Sequence, residues 1–411
     1  MLLQLAFRNI WRNKRRTLIT IGAVSFAVFL ASFTNAFQKG AWDSIIDGAV
    51  TNYFGLIQIH GEGYSEEQII DKSIPFTDAF KNLPDQIPAI LAVNPRLESF
   101  ALASEGDKTH GALVIGISPP AEDAMSNISA KIIAGAYLTE QDKGVIVAEG
   151  LAKKLGLEYR DTLVLISQGY HGANAAGKYP IKGIFKLELP DFNKSLVYMP
   201  LAEAQYFYNA PNRITTLALT LDDKKNVPTV INQVKAQLGD NPTEPLEILP
   251  WQEIIPELVE ARELDTAGNV IIIGILYLLI AFAIFGTILM MVKERSYEFG
   301  VLTAIGMKRW QLFSVTWLET VIVAILGALI GILLSIPIVY YFNTNPVDVA
   351  VFGEEAAVAY EKMGIQGTLS AAFEWSVFFR QAFIIFLMTC LLALYPFLKI
   401  MRLQPVQAMR E

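Results

Sequence analysis

Four long apolar runs constrain the fold of this 411-residue chain more than any other feature. They cover Thr17 to Gln38, Thr266 to Val292, Trp310 to Phe342 and Trp375 to Leu398. Each exceeds the roughly 20 apolar residues that a helix needs to cross a hydrocarbon core about 30 Å thick. The first two runs contain no charged residue, the third contains Glu319 and the fourth contains Arg380. The sequence therefore predicts an α-helical membrane protein with four transmembrane helices.

The distribution of charge predicts on which side of the membrane each connecting segment lies. Residues 1–16, 293–309 and 399–411 together contain 12 basic and only three acidic residues. Residues 39–265 contain 19 basic against 31 acidic residues, and residues 343–374 contain one against five. Because cytoplasmic loops carry an excess of lysine and arginine, we expect both termini and residues 293–309 in the cytoplasm. Residues 39–265 then form a large external domain between the first two spans, and residues 343–374 form an external loop.

The N-terminal segment, residues 1–16, is basic and amphipathic. Leu3, Phe7, Ile10 and Trp11 recur at helical spacing among arginine and lysine residues. This pattern predicts a cytoplasmic helix in the membrane interface, and the alternative is a topology signal with no further role. A cleaved signal peptide is a second alternative for the N-terminus. We predict an uncleaved anchor, because the apolar run is long and no small-residue cleavage site is evident.

The external segment has the pattern of a mixed α and β domain. Its sequence GLIQIHGEGY, residues 55–64, alternates apolar and polar side chains as a half-buried strand does. Further strand candidates are residues 112–117, 145–147, 162–167, 179–185, 195–199 and 215–221, with helix candidates at 149–155, 201–208 and 227–238. The single cysteine, Cys390, lies in the fourth span. The external domain, of α+β class, must therefore be stabilised by its own core rather than by a disulfide.

The charged segment between the second and third spans is the main candidate for a functional site. It reads MVKERSYEFGVLTAIGMKRWQ from Met291 to Gln311. Tyr297, Val301 and Ile305 fall on one side of a helix at this spacing. We predict a cytoplasmic helix at residues 293–309, and a helix wedged between two spans is suited to receive a push from a soluble partner.

This segment resembles the coupling segment of the permease family that includes the MacB-like exporters, FtsX and the lipoprotein-release permeases. The matching residues are Arg295, Glu298, Gly300, Ala304 and Gly306, with Phe299 where isoleucine is usual. The resemblance implies that these residues couple the chain to an ATPase. The alternative is a plain amphipathic connector.

The resemblance extends over most of the chain. The segments Asn94-Pro95-Arg96, GALVIGISPPAED at 111–123 and PIKGIFKLELPDFNKSLVYMPLAEAQ at 180–205 are similar to the periplasmic core domain of the same permeases. The opening LAFRNIWRNKRRTLITI also matches, as does the ending with Pro405, Val406, Ala408, Met409 and Arg410. Residues 39–265 are thus identified as a MacB-like periplasmic domain.

Three residues of the third span have candidate roles. Glu319 lies about 15 Å along a helix from Arg309, and a charge at such depth usually faces the bundle interior or a polar partner. The family often has glutamate here, which implies that Glu319 ties the third span to the coupling segment or to a neighbouring subunit. The alternative is a structural ion pair or a protonated acid. Gly327 and Gly331 have the G-x-x-x-G spacing that permits close helix packing, although glycine is also common in membrane helices.

Several kinds of chemistry are missing from the sequence. No G-x-x-x-x-G-K-[ST] motif is present, and the nearest sequence, residues 106–109, lacks the glycine before the lysine. His60, His110 and His171 lie in no metal-binding pattern, and no serine lies in G-x-S-x-G. The acidic external domain argues against nucleic acid as a partner. We predict that the chain is not an enzyme and binds no cofactor. A separate polypeptide is expected to bind ATP and Mg²⁺.

The resemblance implies the membrane subunit of an ATP-binding-cassette (ABC) transporter in a bacterial inner membrane. Two such subunits, either two copies or this chain with a related permease, would pair and bind cytoplasmic ATPase subunits. The predicted work is extraction of a lipoprotein or another amphiphile toward the outer membrane, with a periplasmic carrier or adaptor as a further partner. The alternatives are MacB-like efflux of a drug or peptide, FtsX-like activation of a periplasmic partner, and an ATP-independent receptor or scaffold.

Overall fold

The structure, a computed structural model, describes residues 2–12, 14–187, 190–239, 245–348, 351, 353 and 368–401. The helices are α1 Leu2–Arg12, α2 Lys14–Ala49, α3 Tyr64–Glu67, α4 Asp78–Lys81, α5 Leu83–Gln86, α6 Pro119–Ser126, α7 Glu149–Leu155, α8 Pro190–Asn193, α9 Leu201–Phe207, α10 Val227–Leu238, α11 Trp251–Ile254, α12 Pro256–Glu294, α13 Ser296–Ala304, α14 Arg309–Thr344, α15 Trp375–Leu392 and α16 Tyr395–Met401. A π-helix, Val50–Phe54, follows α2.

The strands are β1 Ile57–Gly61, β2 Ile74–Pro75, β3 Ile90–Glu105, β4 Lys108–Ile117, β5 Ile132–Gly135, β6 Val145–Ala148, β7 Thr162–Gln168, β8 Asn174–Phe185, β9 Leu196–Pro200, β10 Arg213–Ile214, β11 Thr216–Leu221, β12 Leu246–Pro250, β13 Val347–Asp348 and β14 Thr368–Leu369. The chain divides into two compact units. The membrane unit comprises Met1–Asp43, Arg262–Val347 and Leu369–Glu411, and the external domain comprises Ser44–Ala261 with Asp348–Thr368.

Four helical stretches of the described chain are long and apolar enough to cross a membrane. They are Thr17–Ala49, Pro256–Glu294, Arg309–Thr344 and Trp375–Met401. The first two are longer than the predicted spans at residues 17–38 and 266–292. The second begins at Pro256, and proline favours the first turn of a helix because its missing N–H has no partner there in any case.

The fourth predicted span, residues 375–398, is interrupted in the structure. Helix α15 ends at Leu392 and α16 begins at Tyr395. Pro396 is the second residue of α16 and explains the break, because proline has no N–H to donate to the carbonyl four residues earlier and its ring clashes with that carbonyl. The fourth membrane stretch therefore consists of two helices.

The core of the membrane unit surrounds α2. Val24, Ala27 and Val28 of this helix are buried and pack with Ile284 of α12 and Ile385 of α15. These side chains bring the first, second and fourth membrane stretches into one apolar cluster.

Polar side chains also connect α2 with α12. Trp42 Nε1 donates a hydrogen bond to Asp265 Oδ2 at 2.6 Å, and Gln38 Nε2 donates to the same oxygen at 3.0 Å. Gln38 is the last residue of the first predicted apolar run, and Trp42 and Asp265 lie just outside the predicted runs. Their bonds hold the two helices together where the apolar contacts end.

Six strands of the external domain form a closed ring. Along the ring β3 pairs with β4, β4 with β9, β9 with β6, β6 with β8, β8 with β7, and β7 again with β3. Leu97, Val114, Val147, Leu165 and Val197 from these strands are fully buried in one core. Closing the ring pairs strand edges that would otherwise be open to other chains.

A second core lies on the other side of β3. The strand order β12-β1-β11-β3 continues the sheet, and Ile57, Ile59, Leu217 and Leu219 of these strands pack with Val230 of α10. Residues 90–96 of β3 pair with β11, whereas residues 96–105 pair with β4. One 16-residue strand therefore contributes to both cores.

Candidate functional site in the coupling segment

The predicted helix at residues 293–309 is not continuous. Helix α12 ends at Glu294, α13 covers Ser296–Ala304, and α14 begins at Arg309. At the end of α13 the N–H of Met307 donates to the Leu302 carbonyl at 3.0 Å and the N–H of Gly306 donates to the Thr303 carbonyl at 3.1 Å. This Schellman arrangement requires a left-handed residue, and Gly306 supplies it with a φ of 105°. The coupling segment is thus a short helix between two turns.

Arg295 occupies the first of these turns and is buried. Its Nη1 lies 2.6 Å from Glu319 Oε2 in α14, and its Nε lies 3.1 Å from Glu298 Oε2 in α13. The guanidinium carbon also lies 5.4 Å from the centre of the Phe299 ring. Because the side chains of Arg295 and Glu319 are only 5% and 3% exposed, this ion pair is largely shielded from water.

Arg12 of the N-terminal helix extends the network. Its Nη2 lies 2.8 Å from both carboxylate oxygens of Glu298. The resulting chain of charges, Arg12–Glu298–Arg295–Glu319, joins α1, α13 and α14; we call it the coupling network. Its outer end is 57% exposed at Arg12 and contributes little free energy, since exposed ion pairs contribute about 0–1 kcal/mol. Its inner end is the buried pair.

The other predicted coupling residues lie on different faces of α13. Gly300 is buried, beside a cluster of Phe299, Leu312 and Ile400. Ala304 and Gly306 are exposed.

A groove with both apolar and charged lining residues lies beside the outer end of the coupling network. Tyr297 on α13 and Ile305 directly after it are 57% and 79% exposed. Together with Phe7 and Trp11 of α1, Tyr297 borders a groove of about 870 Å³. The segment therefore presents apolar side chains and one exposed ion pair to whatever binds it.

A small polar space adjoins Glu319 inside the membrane unit. Thr17, Thr287 and Thr320 line it, and its volume is about 20 Å³. A space of about 10–15 Å³ or more can hold one water molecule when polar groups surround it. The hydroxyls of these threonines already donate to the carbonyls of Ile10, Ile284 and Thr316, and the space adjoins the inner end of the coupling network.

The structure places Gly327 and Gly331 against α2. A Cβ atom at Gly327 would lie 2.7 Å from Val24 Cβ, and one at Gly331 would lie 2.7 Å from Val28 Cβ and from the Ser25 carbonyl oxygen. Ser25 Oγ also donates to the Gly327 carbonyl at 3.0 Å. Glycine at both positions lets the two helix backbones approach closely.

Replacing Gly331 by alanine is expected to destabilise the membrane unit by about 1–3 kcal/mol, because the added methyl overpacks against α2. Gly274→Ala is the matched control in α12, where a Cβ would have no neighbour within 4 Å. Alanine favours a helix by about 1 kcal/mol over glycine, so the control is expected to be neutral or stabilising. Thermal unfolding of both purified variants in one detergent measures the difference, and equal shifts would argue against close packing at Gly331.

The external domain contains a buried charged cluster that the sequence analysis did not identify as a site. Arg96 is fully buried, and its Nε and Nη2 donate to the two oxygens of Glu122 at 2.8 Å each. Its Nη1 donates to the Tyr53 carbonyl at 2.5 Å, and Asn94 Nδ2 donates to Glu122 at 2.7 Å. The cluster fastens the π-helix after α2 to the sheet. The signal available in the sequence was an arginine within a short run, residues 94–98, that combines polar, charged and apolar side chains.

Burial and neighbouring charges shift the pKa values of the cluster in opposite directions. Burial lowers the pKa of Arg96, but the carboxylates of Glu122 and Glu98 outweigh it, and the resulting pKa of Arg96 is raised. Burial raises the pKa of the Glu98 carboxyl, and Arg96 offsets this only in part. The guanidinium is therefore charged at any ordinary pH.

The histidines do not form a metal site. His60 is buried and bonded to the Thr215 carbonyl and to Gln58 Oε1 at 3.0 and 2.9 Å, and burial lowers its pKa. Within the described part of the chain no group of three or more histidine, cysteine, aspartate or glutamate side chains is arranged to hold a metal ion. The predicted C-terminal motif from Pro405 to Arg410 lies outside the described residues.

Family models match both parts of the chain. Residues 17–237, more than half of the sequence, match the MacB-like periplasmic core domain, and residues 270–405 match the C-terminal part of FtsX-like permeases. The chain belongs to this permease family. The predicted resemblance and the predicted fold class, four transmembrane helices with an α+β periplasmic domain between the first two, are confirmed.

Sequence relatives of this permease, LolC and LolE, agree with the family models. It is 23% identical over 329 residues to the lipoprotein-releasing system transmembrane protein LolC of Neisseria meningitidis, covering 77% of this chain and 74% of LolC. It is 24% identical over 287 residues to LolE of Haemophilus influenzae, covering 67% of each chain. The periplasmic region of MacB from Actinobacillus actinomycetemcomitans aligns with 52% of this chain and 95% of its own length, at 16% identity and a TM-score of 0.37. The protein is an ABC transporter permease of this family.

Proposed function

We propose that this permease couples ATP hydrolysis by a separate cytoplasmic ATPase to movement of its periplasmic domain, and so extracts a lipoprotein or another amphiphile from the inner membrane toward the outer membrane. The permease acts in a pair, with a second copy or a related chain. ABC permeases work with a cytoplasmic ATPase in general, and the lipoprotein cargo is inferred from the names of the LolC and LolE relatives.

The coupling network is the observation that supports this function most directly. A partner that moves α13 also moves Glu298, which contacts Arg12 on one side and Arg295 on the other. Arg295 passes the displacement to Glu319, deep in α14. Exposed apolar side chains on α13 give an ATPase a surface to bind, and the buried ion pair makes α14 respond to it.

Helix α12 provides a route from the coupling segment to the periplasmic domain. It runs without interruption from Pro256 to Glu294, a length of about 58 Å at 1.5 Å per residue. A continuous helix transmits a displacement at one end to the other better than a chain with a loop. Its first residues belong to the periplasmic domain and its last residue precedes Arg295.

The test uses the permease purified from its native membrane with the ATPase that accompanies it, reconstituted into proteoliposomes containing a triacylated lipoprotein. Glu298→Gln is expected to lower cargo-stimulated ATP hydrolysis and lipoprotein release by about tenfold, while the folded yield stays unchanged because the partly exposed ion pairs of Glu298 contribute only about 0–1 kcal/mol. Glu294→Gln, the same change at an exposed glutamate four residues earlier, is the control.

Other outcomes would redirect the proposal. Full activity of the Glu298→Gln permease would contradict coupling through α13. Release that persists after deletion of the periplasmic domain would contradict extraction by that domain. Copurification of a tunnel or adaptor protein in place of lipoproteins would favour efflux, and absence of any ATPase would favour an ATP-independent receptor.

A further inference from the structure

The periplasmic domain contains a cavity whose lining includes no residue of the coupling network. Its volume is about 530 Å³, within the range of about 300–1,000 Å³ typical of small-molecule sites. The π-helix Val50–Phe54, strands β1 and β3 and the start of α12 contribute to its walls. It therefore lies among the residues that directly follow the first membrane helix in sequence and those that begin the second.

Aromatic rings form one wall of the cavity. The Phe192 ring lies 4.4 Å from that of Tyr53 and 6.1 Å from that of Phe54, and the rings of Tyr53 and Phe54 lie 4.7 Å apart. Leu113 and Ile254 add aliphatic surface. These side chains suit an apolar ligand, and the faces of the rings also attract cations.

The charged groups of the cavity are all acidic. Glu98, Glu253 and Glu257 line it, and no lysine or arginine does among the residues that the structure describes. The buried guanidinium of Arg96 lies 3.7 Å from Glu98 but makes its closer contacts, at 2.8 Å, with Glu122. One guanidinium therefore neutralises two carboxylates only in part, and the cluster has a net negative charge.

The raised pKa of Glu98 agrees with this excess of negative charge. Burial raises the pKa of its carboxyl, and the attraction of Arg96 does not restore the ordinary value. A second positive charge inside the cavity would stabilise the ionised carboxylate, whereas an anionic or uncharged ligand would not.

We propose that this cavity binds an amphiphilic cation, an amine or quaternary ammonium group carried on an apolar body. The cation lies against Glu98 and the aromatic faces, and the apolar body packs against Phe54 and Phe192. The inference deepens the proposed function and rests on it only for the role of the ligand as cargo. Three carboxylates without a lysine or arginine in the lining disfavour phosphate-bearing lipids.

The experiment compares three probes that share one apolar body. Radiolabelled phenylbutyl-trimethylammonium, phenylbutanesulfonate and phenylbutanol are titrated against the full permease in nanodiscs of zwitterionic lipid, without nucleotide. Empty nanodiscs correct for partitioning into lipid. The cation is expected to bind about tenfold more tightly than the alcohol, and the sulfonate more weakly still, because one carboxylate and aromatic contact contributes on this scale.

Variants assign the binding to the cavity. Glu98→Gln is expected to weaken cation binding by about tenfold and to leave binding of the alcohol unchanged, because only the charge is lost. Phe192→Ala is expected to weaken binding of both. Glu140→Gln, at an exposed glutamate outside the cavity, is the control. If Glu98→Gln fails to fold, Glu253→Gln takes its place.

Equal binding of all three probes, or cation binding that survives both glutamate substitutions, would overturn the proposal. Tighter binding of the alcohol would indicate a purely apolar site. Because the titration needs neither ATP nor an ATPase, its failure leaves the proposed coupling untouched. Loss of coupling in the Glu298→Gln permease would equally leave cation binding intact.

Discussion

Replacing Arg96 by methionine is expected to lower the free energy of unfolding of the periplasmic domain by about 3–5 kcal/mol, the usual effect of removing one partner from a buried ion pair. The substitution leaves Glu122 buried without its two charge-assisted hydrogen bonds and leaves the Tyr53 carbonyl without a donor. Glu98 loses its nearest cation as well. Methionine fills similar space, so the effect reports charge rather than volume.

The measurement is thermal and denaturant unfolding of the full permease in detergent, with limited proteolysis to follow the periplasmic domain. Lys153→Met is the matched control, since this lysine pairs with Glu149 at the surface of α7 and is 73% exposed. Its expected effect is below about 0.5 kcal/mol. The double variant Arg96→Met with Glu122→Met is expected to recover part of the loss. A single Arg96→Met permease as stable as the control would contradict the buried cluster.

Replacing Glu319 by leucine is expected to reduce the yield of folded permease sharply, by an effect of about 3–5 kcal/mol, because Arg295 then remains buried without its closest carboxylate. The remaining partner of Arg295, Glu298, lies at the more exposed end of the coupling network, 39% exposed. Arg380→Met is the control, because it removes a charge from an exposed position of the fourth membrane stretch. Size-exclusion chromatography of tagged variants measures folded yield.

The double variant Arg295→Met with Glu319→Leu separates the two interpretations of Glu319. Replacing both members of a buried pair by apolar residues is often neutral or stabilising, so this variant is expected to regain folded yield. If the ion pair transmits movement, the double variant folds but its ATP hydrolysis and cargo release stay uncoupled. If coupling returns in full, the pair is structural only.

Local composition was sufficient to predict the membrane stretches. A helix that crosses lipid must satisfy its backbone internally and be apolar over a set length, and both properties are written in consecutive residues. The turn at Gly306 is also local, and the spacing of Gly327 and Gly331 indicated a close approach without naming α2 as the partner.

The coupling network could not be read from the sequence in the same way. Arg12 and Glu298 are 286 positions apart, and helical spacing carries no information about contacts at that separation. Arg295 gave a similar difficulty, because it lies in the turn between α12 and α13 and its closest carboxylate, Glu319, is 24 positions away in α14. Only the resemblance to known permeases indicated that these residues act together.

The longest strand of the periplasmic domain was missed for a different reason. Pro95 lies in the middle of β3, and proline argues against a central strand because it cannot donate to a neighbour. In the structure β3 changes neighbours at this point, and pairing with β4 begins one residue later, at Arg96. The proline therefore lies where β3 has no partner on that side.

The double use of β3 also limits how the periplasmic domain can be divided. Both cores take side chains from this strand, so a cut between them removes part of each. Neither half can be exchanged with that of a related permease as an independent module. Inserted reporters belong instead at exposed turns such as the one at Gly106 between β3 and β4.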